Sequence, residues 1–312
     1  MSGYPHVPGP DPQQDATLAA LLDALYARHN DAVVATLVYG SCLRSGDIYD
    51  GLLDLYLVCD SYRAAYGPGA LAAGNWLLPP NVFYAEQTGA DKTLRAKVTV
   101  ISLRDFERGC SRAWFESYIW GRFAQPTCII RARDAQCRAR VEGALLNAAG
   151  TLLQRALPAL PAHGTVTSLW QQALDLSYAT ELRTERPGRA AELAQSSREF
   201  YASVTRHHAG TLAHGFVLEE ATGELRYRSR ATAGNRAAAR LAWGVRRVLG
   251  KVFSVLRLLK GLLTFEGGLD YIAWKLERHS GQEVVIPEKV RRAPLIHLWG
   301  FFWGLYRRGI FR

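Results

Sequence analysis

Cysteine is scarce in this 312-residue chain. The five, Cys42, Cys59, Cys110, Cys128 and Cys137, are scattered, odd in number and never in Cys-x-x-Cys spacing. That excludes a disulfide framework and a zinc finger, and points to a reduced, cytosol-facing setting in which these thiols fill the core. Cys42 reads as a small packing residue. The eight histidines show neither His-x-x-x-His nor His-Glu-x-x-His spacing, so a zinc protease is excluded. No Ser/His/Asp arrangement stands out. No apolar run approaches the ~20 residues that span a bilayer, so a protein of this kind would meet a membrane by lying on it. Residues 1–15 are rich in Pro, Gly and Gln and lack an apolar stretch, which predicts a disordered tail and no secretory signal.

Hydrophobic residues make up 48% of the chain, enough for one large domain or two. The formal charge of +10 calls for an anionic partner. It is unevenly placed: residues 226–312 hold 18 Lys and Arg against 5 Asp and Glu, which leaves the rest at −3.

Helical periodicity over 16–29 leads into a β-rich run at 32–39, and a second apolar run follows at 52–59. Residues 62–84, rich in Gly, Pro and Asn, read as a long loop with short helices. Lys97 to Ser102 reads as a third strand, 106–123 as a helix, and 127–131 as a short strand. Helices are predicted over 134–159, 166–182 and 190–206, with a β-hairpin at 216–230 turning at Thr222-Gly223. Residues 236–265 form a basic amphipathic helix or helix pair, weakened at Gly244, Gly250 and Gly261. The aromatic-dense segment 294–312 closes the chain. No internal repeat is present.

The chemistry concentrates at Tyr39-Gly40-Ser41 and at Leu53-Asp54-Leu55-Tyr56-Leu57. A glycine at the end of a buried strand lets backbone approach a phosphate without a Cβ in the way. The serine adds a hydroxyl, and a helix start there would offer free N–H groups. Asp54 suits Mg²⁺, which takes carboxylate oxygens together with substrate phosphates. Transfer of a nucleotidyl group needs this kind of positioning and charge neutralisation more than covalent help from protein. Nucleotidyltransferases of this build place a second carboxylate one residue beyond the first, a position held here by Tyr56. Asp47 and Asp50 in the connecting loop could supply it, although loop Asp residues mostly make turns. The residues alone leave both readings open: a nucleotide site, or an ordinary turn and a lone strand carboxylate.

These motifs resemble the mitochondrial-type phosphatidate cytidylyltransferases, the translocator-maintenance family of CDP-diacylglycerol synthases in the nucleotidyltransferase superfamily. Further landmarks fall in the family's order: Lys97 to Ser102, Tyr118-Ile119-Trp120-Gly121-Arg122-Phe123 with Pro126, Leu176-Ser177-Tyr178 with Glu181 and Arg183, and Lys260-Gly261 with Thr264. In that family, too, the second carboxylate position is typically apolar. Departures are Cys42 in place of a second glycine, Gln125 where lysine is frequent, a poor match over 62–84, and the unmatched run Lys275 to Ser280. The resemblance implies an α+β fold. A nucleotidyltransferase-like mixed sheet with flanking helices (16–132) precedes a mainly helical, winged-helix-like domain (133–235) and a membrane-binding region (236–312). It implies transfer of CMP from CTP to phosphatidic acid with Mg²⁺, pyrophosphate release, and a role in phospholipid synthesis. Asp54 and Lys97 would be catalytic, Asp54 a metal ligand, and Tyr39, Gly40, Ser41 and Arg122 nucleotide-binding. Arg122 has an alternative role as a salt bridge to a neighbouring helix, and Glu181 and Arg183 one as mutual ion-pair partners. Transfer to another lipid or small acceptor, or an inactive membrane-binding scaffold, are the alternatives.

In the last third, Arg240, Arg247, Lys251, Arg257 and Lys260 interrupt a run of Leu, Val, Phe and Trp, and Trp299, Trp303, Arg307 and Arg308 follow near the end. An apolar helix face with such cations suits an anionic membrane surface, and aromatics beside cations suit its interface. A face that tracked nucleic-acid phosphates would be more polar, and no nucleic-acid motif is present, so none is expected as a partner. The expected location is peripheral, on the cytoplasmic face of the inner membrane, or the matrix side if mitochondrial.

Overall fold

The computed structural model describes residues 3–182, 188–221, 223–264 and 286–292, together with 297, 300, 303, 304 and 307. The fold is α+β, as expected. Helix α1 (Ala16–Arg28) leads into β1 (Val33–Tyr39), α2 (Ser41–Ser45) and β2 (Leu53–Cys59). Next come α3 (Tyr62–Tyr66), α4 (Ala70–Leu77), β3 (Asn81–Thr88) and β4 (Thr93–Ser102). After α5 (Leu103–Cys110), α6 (Trp120–Phe123) and β5 (Cys128–Ala132), the long α7 (Ala135–Ala156) opens the helical part. The five strands form one mixed sheet in the order β3-β4-β2-β1-β5, with only the β2–β4 pair parallel.

The period-two alternation of a strand sorts the side chains. Leu53, Leu55 and Leu57 join Val98 and Val100 against Leu18, Leu21, Leu22 and Leu25 of α1. Tyr56, Val58 and Ile101 face the other way, into a larger core with Phe106, Trp120, Phe123 and α7. That second core runs without a break into the helical part: α8 (Val166–Tyr178), α9 (Arg189–Ser196) and α10 (Arg198–His208) add Leu169, Trp170, Leu193 and Tyr201. Strand β6 (His163–Thr165) joins the predicted hairpin, β7 (Val217–Ala221) and β8 (Glu224–Arg228), in a small sheet ordered β6-β8-β7. The order of this part is α7, β6, the three helices α8 to α10, and the closing β7–β8 hairpin. Helix α11 (Ala233–Thr264) is one continuous 32-residue helix, and a short helix spans Glu288–Arg292.

Three expectations change. The 62–84 stretch contains the first half of β3, whose alternation is obscured by the flanking Pro and Gly residues. The helix expected over 106–123 is two short helices, because residues 111–119 form a loop that carries Glu116 and Tyr118 to the sheet. Residues 3–15 are pinned to the body: the Tyr4 hydroxyl accepts from Thr127 N at 3.0 Å, its ring meets Phe200 edge-on, and Gly9 lies so close to Cys128 that a Cβ would be 2.5 Å from its sulfur.

Candidate nucleotide site

The strand register builds one row across four strands. Tyr39 on β1 lies opposite Asp54 on β2, Asp54 opposite Lys97 on β4, and Lys97 opposite Tyr84 on β3. Directly paired residues share a sheet face, so Tyr39, Asp54, Lys97 and Tyr84 all face the α5–α8 side, as does Tyr56 two residues beyond Asp54. Three of the row's four members were legible in the sequence. Tyr84 was not, because its strand was read as loop.

Gly40 leaves β1 at φ 92°, ψ −154°, a conformation open only to glycine. A Cβ there would stand 2.7 Å from Asp54 Oδ2, so the missing side chain is what leaves the carboxylate room. Ser41 is exposed at the start of the short α2, which has no side-chain cap. Lys97 Nζ lies 4.0 Å from Asp54 Oδ1, too far for a hydrogen bond, and both side chains keep some exposure. The Cys42 thiol donates to Leu52 O at 3.3 Å, and burial together with the Asp54 charge pushes its pKa up, in keeping with a packing role.

The two loop carboxylates do not close on Asp54 to make a metal cage. Asp47 accepts from Tyr49 N at 2.8 Å and Asp50 N at 3.3 Å, the turn-making role, and Asp50 is exposed. Among the described residues no three His, Cys, Asp or Glu side chains are grouped to hold a metal ion. The described residues therefore form no three-ligand metal cage. Asp54 is a carboxylate able to join a cation that arrives on a triphosphate.

Tyr56 fills the second carboxylate position with a fully buried phenol. Its hydroxyl accepts from Arg122 Nη1 at 3.2 Å, and Arg122 Nη2 pairs with Glu181 at 3.1 Å. Burial would lower the Arg122 pKa, but the oxygens of Tyr118, Tyr39, Glu181 and Tyr56 raise it, so the buried guanidinium stays charged. The fork expected to grip a nucleotide phosphate is thus engaged inside the fold, which is its alternative role as an ion pair. Arg183 lies outside the described residues.

A second guanidinium reaches the same place from α11. Arg257 makes a two-pronged pair with Glu116, 2.7 Å on each arm, and donates to Pro79 O at 3.2 Å. Lys260 donates to Leu78 O and Pro80 O, and burial with the nearby Arg257 lowers its pKa to about 8. Arg257 and Lys260, expected among the lipid-facing cations, point into the body instead. Arg246 does too, at 3% exposure, donating to Phe115 O. The helix is partly inverted: Arg246, Arg257 and Lys260 line the inner seam, while Leu241, Val245, Val248, Val252, Val255 and Leu258 face outward. Arg240, Arg247 and Lys251 are exposed, as are Trp303 and Arg307; Trp299 and Arg308 lie outside the described residues.

No family model matches the chain. No curated protein matches it either. Among solved structures, it is similar to a nucleotidyltransferase-like protein from Exiguobacterium sibiricum 255-15, with 9% identity over 94% of this chain and 92% of that one, at a TM-score of 0.27. At that TM-score the likeness carries no argument.

Proposed function

We propose that this chain is a peripheral-membrane nucleotidyltransferase that moves CMP from Mg²⁺-bound CTP to phosphatidic acid, forming CDP-diacylglycerol and releasing pyrophosphate. The observation that carries the reading is the Asp54 carboxylate facing the Cβ-free Gly40, with Lys97 beside it on the next strand. In the reaction, a phosphate oxygen of the acceptor attacks the α-phosphorus of CTP, and the bond to the β-phosphate oxygen breaks as pyrophosphate leaves. Gly40 admits the triphosphate close to backbone, Asp54 meets the substrate's cation, and Lys97 offsets phosphate charge. The choice of CTP and phosphatidic acid is supported by the ordered sequence landmarks from Tyr39 to Thr264.

The lipid part of the reading is supported by the partly inverted α11. Its outward apolar residues run from 241 to 258, about 26 Å at 1.5 Å per residue, with Arg240, Arg247 and Lys251 exposed on the same helix. Trp76, 72% exposed, and Leu77 stand on α4, whose end is tied to α11 through Lys260. No helix among the described residues is long and apolar enough to cross a membrane. Such a surface suits an anionic bilayer face, on the cytoplasmic or matrix side of an inner membrane.

Purified protein given CTP, Mg²⁺ and phosphatidic acid liposomes is expected to release pyrophosphate and form CDP-diacylglycerol. Asp54→Ala is expected to abolish this with the circular dichroism spectrum unchanged, and a fully active Asp54→Ala protein would refute the site. A panel of other nucleotides and acceptors separates this reading from transfer to another acceptor. A catalytically inactive membrane scaffold is the second reading, favoured by Tyr56 standing where a second strand carboxylate is usual. It requires that CTP with Mg²⁺ leave the melting temperature unmoved.

A further inference from the structure

Tyr118 lies in the loop before α6, and two guanidinium groups sit against its ring: Arg122 at 4.2 Å and Arg257 at 3.9 Å from the centroid. Both cations are anchored from elsewhere, Arg122 by Tyr56 and Glu181, Arg257 by Glu116 and the Pro79 carbonyl. The ring is therefore held in a fixed cation–π clamp. Its hydroxyl is not committed. Partly buried tyrosines ordinarily find a hydrogen-bond partner, yet no described residue bonds the Tyr118 oxygen. Burial would raise its pKa, but Arg122, Lys97 and Arg257 outweigh burial and lower it, which makes the phenol a stronger donor to an anion.

Position decides which anion. The row across the sheet runs from Tyr39 on β1, beside the Gly40 turn, through Asp54 and Lys97 to Tyr84 on β3. Helix α11 packs on the β3 end and brings Arg257 with it. A nucleotide entering at Gly40 thus has Asp54 in the middle of the row and the Tyr118 clamp towards α11. That is the side from which the outward apolar face of α11 and Trp76 would deliver a lipid headgroup. The carboxylate-paired arginines have their forks occupied by Glu181 and Glu116, whereas no described residue bonds the Tyr118 hydroxyl, and Lys97 of the row acts on it through its charge.

We propose that Tyr118 is the acceptor-binding residue of this site, its hydroxyl donating a hydrogen bond to the phosphomonoester headgroup of the lipid acceptor. The inference rests on the nucleotidyl-transfer reading of Asp54. Tyr118→Phe keeps the ring between the guanidiniums and removes only the hydroxyl. It is expected to raise the KM for phosphatidic acid roughly tenfold to a hundredfold, the range for losing a hydrogen bond to a charged group. The dissociation constant for CTP with Mg²⁺, measured by calorimetry without lipid, and the melting temperature are expected to stay unchanged. An unchanged KM, or a loss confined to CTP binding, would overturn the assignment.

Direct binding of a short-chain, water-soluble phosphatidic acid to wild type and Tyr118→Phe separates the two levels. Binding that the variant loses, in a protein that does not turn over, keeps the inference and removes the transfer reading. Equal binding by both, or none by wild type, removes the inference. If the variant fails to fold, nitration of Tyr118 in the wild-type protein, read by peptide mass, answers the same question: short-chain phosphatidic acid is expected to protect it, and unprotected nitration would overturn the proposal.

Discussion

Gly40→Ala tests whether the turn exists to make room for Asp54. Two effects act at this position. The backbone, at φ 92° and ψ −154°, lies where an L-residue is strained by about 1–3 kcal/mol. The new Cβ would also stand 2.7 Å from Asp54 Oδ2 and 3.6 Å from its Cβ and Cγ. Reaching ordinary contact requires the carboxylate to move by roughly 0.7 Å, and a misplacement near 1 Å at a reacting centre costs about a hundredfold in rate. Gly46→Ala supplies the control. Gly46 also has a left-handed backbone, φ 76° and ψ −3°, but a Cβ there meets nothing within 4 Å. Its cost is conformational only, about 1–2 kcal/mol. Both variants are expected to melt a few degrees lower by differential scanning fluorimetry. In the pyrophosphate-release assay, only Gly40→Ala is expected to lose about two orders of magnitude, while Gly46→Ala stays near wild type. Equal losses in the two variants, or a fully active Gly40→Ala protein, would refute the claim that the glycine serves the carboxylate.

Two further expectations concern α11. At Gly250 a Cβ would meet the Thr180 carbonyl oxygen at 2.4 Å, a backbone atom with little freedom to move, so Gly250→Ala is expected to destabilise by about 1–3 kcal/mol and to speed proteolysis within α11. Gly244, on the same helix with open space around it, is expected to gain about 0.5–1 kcal/mol on Gly244→Ala; urea titrations giving equal stabilities for the two variants would disprove the docking seam. On anionic vesicles, Arg247→Ala with Lys251→Ala is expected to weaken partitioning roughly thirtyfold, at about 1 kcal/mol per cation. Co-sedimentation unchanged by that pair, and by Val248→Asp with Val252→Asp, would rule out α11 as the membrane face.

Much of the fold was legible in local periodicity. The β1 segment carries the nearly unbroken apolar character of a buried strand, β2 shares it apart from Asp54, β4 carries apolar alternation, α1 and α7 carry helical spacing, and the β7–β8 hairpin turns at a Gly. Gly40 and Asp54 stood out because a glycine at a strand end and a carboxylate inside an apolar strand are both locally anomalous. Strand β3 was hidden because Pro79-Pro80 and Gly89 bracket it and its outer half, Glu86 to Thr88, is polar. The tail at Tyr4 was misread for a related reason: a single aromatic finding Thr127 and Phe200 leaves no pattern in its own neighbourhood.

The sequence by itself determined that a small turn would precede a strand carboxylate, that Tyr56 would stand where a second carboxylate is usual, and that the last third would be basic and amphipathic. Only the tertiary structure decided which way those features face. An isolated α11 would turn its Leu and Val residues inward and its cations to water. In the fold three of its cations turn inward, because Phe115 O, Glu116 and the carbonyls of Leu78, Pro79 and Pro80 gather from segments 131 to 182 residues away to satisfy Arg246, Arg257 and Lys260. Tyr56 finds Arg122 across 66 residues in the same way. A buried charge is tolerated only where its partners are already assembled, and no local window of sequence holds both halves of such a pair.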